Sequence, residues 1–463
     1  MQKKSSSLKT TFITGALFLT LAGVLTRVIG FFYRIFLSRL IGAEGLGIYQ
    51  LMAPVTALGF AVTAAGIQTS ISRFVSMEMG RKNAAGAKQY LFIGLAISLL
   101  LSTGTGMLIF RSADVLAEVW LGDIRCASML RVLSLSFVPS CIHACINGYY
   151  YGLKKTAIPA VCQLTEQLAR VGSVYLFYCI SVRENQPLSL DATMWGVVIG
   201  EIASTLVSLS VTRFPESEQQ PARSKGHSYA ATKKKQAVPL FSYTRNLIYM
   251  ALPLTANRVA LNLFASLENT MIPKSLRMFG YTNSEALSVY GILTGMSMSV
   301  VMFPSVITNS ISVLLLPTIS EAEASGNNAL IRRTIRTTVA TCLSLGFLCT
   351  MGFLYLGDYA GNLLFDNALA GTFIVTLGWI CPFLYLGATL GSILHGLGFP
   401  GLTFLLNMSA CGVRILFVLF LVPRFGIKSY LWGILASQIA AALFSLIALY
   451  IICSRRLPPA SVK

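Results

Sequence analysis

Charge is what this sequence has least of. Asp, Glu, Lys and Arg together make up 11% of its 463 residues, where a soluble chain carries about 25%. Acids are the scarcer kind, 17 against 36 bases, and there are three histidines. With a mean hydropathy of +0.69, the apolar sequence exceeds what one aqueous core absorbs, which excludes a soluble globular enzyme or binding module. None of the ten cysteines stands at metal-ligand spacing, and most lie in apolar runs as small hydrophobes, so no zinc site or disulfide framework is expected. Phosphate-binding glycine loops, metal clusters and nucleophile motifs are also missing. The chain is therefore not expected to be an enzyme or to hold a cofactor or metal. Transport through it would draw on an ion gradient, the membrane potential or the substrate gradient.

What the chain has is long apolar runs. Twelve transmembrane helices are expected, near 11–38, 46–72, 89–110, 128–151, 156–180, 192–212, 246–272, 286–317, 335–356, 370–395, 401–423 and 429–453. The first is read as a retained span and not a cleaved signal, being long and carrying Arg27 and Arg34. Pro54, Pro139, Pro253, Pro304 and Pro382 mark where helices should bend. With both termini in the cytoplasm, 22 Lys and Arg fall in cytoplasmic segments and eight outside, as the positive-inside rule requires. The net charge of +19 is then a topology signal and a contact for anionic lipid. Nucleic acid is not expected as a partner, for no basic-aromatic stripe is present.

The one long polar stretch, 214–243, contains Lys233, Lys234 and Lys235 and lies midway. It reads as a cytoplasmic basic linker between an N-terminal six-helix lobe, 1–213, and a C-terminal six-helix lobe, 244–463. The lobes look duplicated. Ile67–Ser72 (IQTSIS) parallels Ile307–Ser312 (ITNSIS). Pro139 and Gly148 match Pro382 and Gly391, Arg170 matches Arg414, Gln163 matches Asn407, and Glu201 matches Gln438, all at offsets of about 240. Both copies start inside, so they are parallel repeats, an arrangement that places a substrate path between halves.

Charges inside spans carry the functional reading, because each costs about 2.5–3.5 kcal/mol in hydrocarbon unless it meets a partner or water. Arg27 and Arg34 lie on one small and polar face of the first span, with Thr20, Gly23, Gly30 and Ser38. Two guanidinium groups there can hold a phosphate-bearing ligand; the alternative is packing, with each arginine snorkelling to an interface. The seventh span repeats the pattern with Thr255, Arg258, Asn262, Ser266 and Asn269, and Glu268 beside it. Glu166 and Arg170, four apart, should neutralise each other. Arg414 has no acid four residues before it, and Glu201 is expected to serve an arginine. His143 and His395 read as packing residues. The candidate cavity set is Arg27, Arg34, Arg258, Asn262, Glu268, Arg170 and Arg414, with Arg27, Arg34 and Arg258 converging on phosphate.

Thr26–Arg34 (TRVIGFFYR), Leu40–Gln50 (LIGAEGLGIYQ), Ala65–Ser72 (AGIQTSIS) and Ser266–Pro273 (SLENTMIP) resemble the stage V sporulation protein B group. These are polysaccharide-biosynthesis membrane proteins of the multidrug/oligosaccharidyl-lipid/polysaccharide exporter superfamily, to which the lipid II flippase is related. The resemblance covers essentially the whole chain. It implies an all-α, V-shaped, two-lobe transporter working by alternating access in the bacterial cytoplasmic membrane. It implies an undecaprenyl-linked saccharide as substrate, for cell-wall or spore-cortex peptidoglycan. Arg27 and Arg34 match first-helix arginines that line the flippase cavity. The chain departs from that flippase in having uncharged Gln68 and Thr69 in its second span and in ending after twelve expected spans. Two other functions stay open: a cation-coupled multidrug exporter of the same superfamily, and a non-transporting scaffold for cell-wall synthesis enzymes. Membrane lipids are the remaining expected partners, and the state expected is monomeric.

Overall fold

The computed structural model describes residues 2–212 and 240–456. Most of the expected linker, 214–239, lies outside the described residues. Every element among the described residues is helical, the arrangement that lets a backbone in hydrocarbon satisfy its own hydrogen bonds.

In chain order, α1 is Gln2–Phe60, which runs through a π-helical stretch, Ala61–Ala65, into α2, Gly66–Gly80. Next come α3, Ala84–Arg111, the bent pair α4, Cys126–Ser134, and α5, Phe137–Gly152, then α6, Ala157–Arg183, and α7, Leu190–Val211. The second half has α8, Leu240–Phe279; α9, Asn283–Gly291; α10, Met298–Met302; α11, Ser305–Ala324; and α12, Asn328–Phe365. It ends with the bent pair α13, Ala368–Gly378, and α14, Cys381–Gly396, followed by α15, Pro400–Leu416, α16, Val422–Phe425, and α17, Ile427–Arg456.

Among the described residues, eight helices are long and apolar enough to cross a membrane, ten when each bent pair counts as one span. The stretch Thr20–Gly80 is 61 residues long, far beyond the roughly 20 that one crossing needs. It divides at Gly42, whose φ of 67° breaks the helix at a conformation that favours glycine. The 27-residue α6 has span length too, although Glu166 and Arg170 lower its hydropathy. The twelve expected crossings are thus each represented. The two bends, 44° in α4/α5 and 57° in α13/α14, fall just before Pro139 and Pro382, positions equivalent in the repeats.

By contact the chain forms two compact units. Unit 1 comprises the described residues of Met1–Thr26, Val55–Glu118 and Ile124–Asn262; unit 2 those of Arg27–Pro54, Val119–Asp123 and Leu263–Lys463. Sequence repeat and contact group therefore divide the chain differently. Within unit 1, the start of α8 buries Tyr243, Leu247 and Ala251 against Ile67, Ile71 and Val75 of α2. A Cβ on Gly66 would lie 2.1 Å from the Thr255 hydroxyl, so only hydrogen fits there. Within unit 2, a Cβ on Gly47 would lie 2.1 Å from the Leu287 carbonyl oxygen, and one on Gly291 2.2 Å from that of Ala43. Residues 119–123 are tied into the same unit by Lys274, which donates to the Val119 carbonyl at 2.7 Å, and by Asn283, which donates to the Asp123 carboxylate at 2.8 Å.

Candidate functional site

The carboxylates of Glu166, Glu201 and Glu268 are held by cations or polar hydrogens. In unit 1, Arg170 Nη2 donates to Glu166 Oε1 at 2.6 Å, one helical turn away on α6, as the spacing predicted. The same Nη2 lies 3.9 Å from Glu201 Oε1 on α7. His143 Nε2 on α5 and Glu201 Oε2 are 2.6 Å apart, and Asn147 Nδ2 lies 3.4 Å from His143 Nδ1. A proton on Nε2 satisfies both contacts. The ligand atoms of His143, Glu166 and Glu201 lie within 4.8 Å of one another, a spacing that a small cation can share; the Arg170 guanidinium already stands among them.

Unit 2 carries the counterpart. Glu268, 5% exposed, accepts from Arg414 Nε at 2.6 Å, the Tyr430 hydroxyl at 2.8 Å and Cys411 Sγ at 3.5 Å. Arg414 and Arg170 occupy equivalent places in the repeats, yet their acids come from different elements. Gln438 stands where Glu201 would be repeated, and the carboxylate arrives from α8 instead. Neither the His143–Glu201 pair nor the Glu268–Arg414 pair could be assigned from spacing, since their partners lie 58 and 146 residues apart.

The other candidates are placed differently. Arg27 is exposed and makes no hydrogen bond or ion pair among the described residues. Arg34, also exposed, donates from Nη1 to the Ser299 hydroxyl at 2.9 Å. Both lie in unit 2, on one helix and seven residues apart. Arg258 is exposed in unit 1 and reaches the Thr69 hydroxyl at 3.5 Å, with half-buried Asn262 one turn on. The polar stripe of α8 changes character after Asn262: Ser266 is fully buried, and Asn269 accepts from the Tyr290 hydroxyl at 3.2 Å. The structure thus brings together Glu268 with Arg414 and Arg170 with Glu166, and sets the other three arginines on neutral hydroxyls or none.

The helical architecture is one shared with solved membrane transporters. A multidrug resistance MATE family transporter of the MOP superfamily, solved in an inward-facing conformation, superposes with a TM-score of 0.73 at 13% identity, covering 94% of this chain and 96% of that one. At the sequence level, the family model described as polysaccharide biosynthesis protein matches residues 12–323, and the chain belongs to that family. It is 26% identical to stage V sporulation protein B of Bacillus subtilis (strain 168) over 437 residues, 94% of this chain and 83% of the relative. It is 23% identical to the lipid II flippase MurJ of the same organism over 349 residues, 72% of this chain and 62% of the relative.

Proposed function

We propose that the protein moves an anionic, undecaprenyl-linked saccharide precursor across the bacterial cytoplasmic membrane by alternating access, with both termini on the cytoplasmic side. One observation carries this reading. Glu166, Glu201 and Glu268 sit against arginine, histidine or tyrosine, whereas Arg27, Arg34 and Arg258 are exposed without a carboxylate. A guanidinium left on lipid is costly, by about 2.5–3.5 kcal/mol on insertion scales, so these three are expected to meet water or an anion. Export of cationic drugs asks for the reverse, an accessible acid without a resident cation. Membership of the polysaccharide biosynthesis family and similarity to a lipid II flippase support this substrate class, a saccharide on a lipid phosphate carrier, whose pyrophosphate suits the guanidinium fork. The activity is translocation and includes no covalent step.

The test is translocation of lipid-linked saccharides by the reconstituted protein, with complementation of a flippase-deficient strain. Arg27→Gln and Arg258→Gln are expected at normal membrane levels and without transport, and the Lys variants to recover partly, since lysine keeps charge but loses the fork. Full transport by the triple Gln variant would remove the cationic mechanism; intact wall synthesis with no measurable translocation would favour a scaffold.

A further inference from the structure

The first turns of α8 have two distinct faces. One is anchored in unit 1: Tyr243, Leu247 and Ala251 are buried, and the Tyr243 ring meets the edge of Tyr90 at 4.9 Å, which in turn stacks on Phe74 at 4.6 Å. The other carries Arg245, Tyr249 and Asn257, which with Arg73 and Met77 of α2 line a cavity of ≈ 780 Å³ inside unit 1. Arg245 makes no hydrogen bond or ion pair among the described residues, and the one such contact of Arg73 is a long one to the Met250 sulfur, 3.8 Å. Read as sequence, both arginines are only topology signals.

Two guanidinium groups line one cavity without an acid, Arg73 on α2 and Arg245 on α8, and these two helices are held to each other through the Tyr243, Leu247 and Ala251 face, so together they can receive an oxyanion. Phosphate is the oxyanion whose charge and geometry suit two forks. Besides the polar Asn246, Tyr249 and Asn257, the wall carries the apolar Phe74, Met77, Met250, Pro253 and Leu254, a surface that suits a phosphate carried on a lipid better than a free one. Arg258 stands 13 residues further along α8, about 20 Å at helical rise, and reaches Thr69, one turn from Arg73 on α2. The cavity lies on the side of Arg258 nearer the basic segment.

We propose that Arg73 and Arg245 form a loading station for the phosphate headgroup of a polyprenyl-linked substrate, separate from Arg27, Arg34 and Arg258. This deepens the flippase reading and rests on it for the identity of the lipid. The station holds the headgroup at the cytoplasmic end of α8 before translocation begins.

Native mass spectrometry of the purified full chain, with undecaprenyl pyrophosphate as probe and phosphatidylglycerol and inorganic pyrophosphate as competitors, tests it. Replacing both arginines, Arg73→Gln with Arg245→Gln, should weaken probe binding about tenfold or more and leave the melting temperature unchanged, because both side chains are exposed. The double Lys variant should fall between. Unchanged probe binding by the Gln pair would overturn the proposal, and so would equal loss of phosphatidylglycerol binding, which would mark a general anionic-lipid contact. Full competition by inorganic pyrophosphate at the probe's own concentration would overturn the lipid part of it. Liposome translocation separates the two claims. Probe binding through the pair without transport leaves the station and removes the flippase. Transport with binding insensitive to the pair does the opposite. No probe binding by the parent protein removes both.

Discussion

Glu268 illustrates what a carboxylate requires inside a membrane helix. Its charge is met by Arg414 and its remaining lone pairs by Tyr430 and Cys411. Glu268→Gln would leave the half-buried Arg414 as a cation without an anion, which costs up to about 3–5 kcal/mol. The double variant Glu268→Leu with Arg414→Met removes both charges and should be markedly more stable than Glu268→Gln. Thermal unfolding of the purified variants checks the order, and a double variant no more stable than the single one would count against the ion-pair account. The same pair shows where sequence reading stops. Glu166 and Arg170 were legible because both stand on one helix, one turn apart. Glu268 and Arg414 were not, since tertiary packing alone joins them and the sequence sets Glu268 only beside the polar stripe of its own helix. His143 was read as a hydrogen-bonded packing residue, but its partner, Glu201, comes from another helix.

The helices themselves were legible almost throughout, because a bilayer demands about 20 apolar residues per crossing and most spans meet that demand, α6 being long enough but less apolar through Glu166 and Arg170. Their breaks were legible at Pro139, Pro304 and Pro382, whereas α1 and α8 run through Pro54 and Pro253 without a break, and the break at Gly42 rests on a glycine that the proline pattern does not mark. Close approaches between helices were not, because glycines at contact and glycines in open positions look alike in sequence. Gly47 and Gly23 make the contrast. A Cβ on Gly47 meets backbone at 2.1 Å, while one on Gly23 meets nothing within 4 Å. Gly47→Ala should force the α1 and α9 backbones apart and lower stability by about 1–3 kcal/mol. Gly23→Ala should be neutral or stabilising by up to about 1 kcal/mol, as helix propensity predicts. Melting curves of the two variants, compared with the parent in one detergent, decide whether the contact is as close as described.

For the whole molecule, the positive-inside count predicts an orientation with both termini and the basic segment in the cytoplasm. Single cysteines placed in 214–239 are expected to react with impermeant reagents only after the cytoplasmic face is opened; labelling of intact cells would invert the topology. The two contact units were the least legible feature of all. The repeats suggest a cut at the basic segment, but Arg27–Pro54 packs with the second unit and the beginning of α8 with the first. This has a consequence for synthesis. Residues 27–54 leave the ribosome about two hundred residues before the bulk of the unit they pack in, so they must wait in the membrane unassembled, with Arg27 and Arg34 already inserted. The first unit, in turn, cannot close its core until Tyr243, Leu247 and Ala251 emerge. Genes split at the basic segment should therefore yield halves that are degraded when made singly and that accumulate only when made in the same cell.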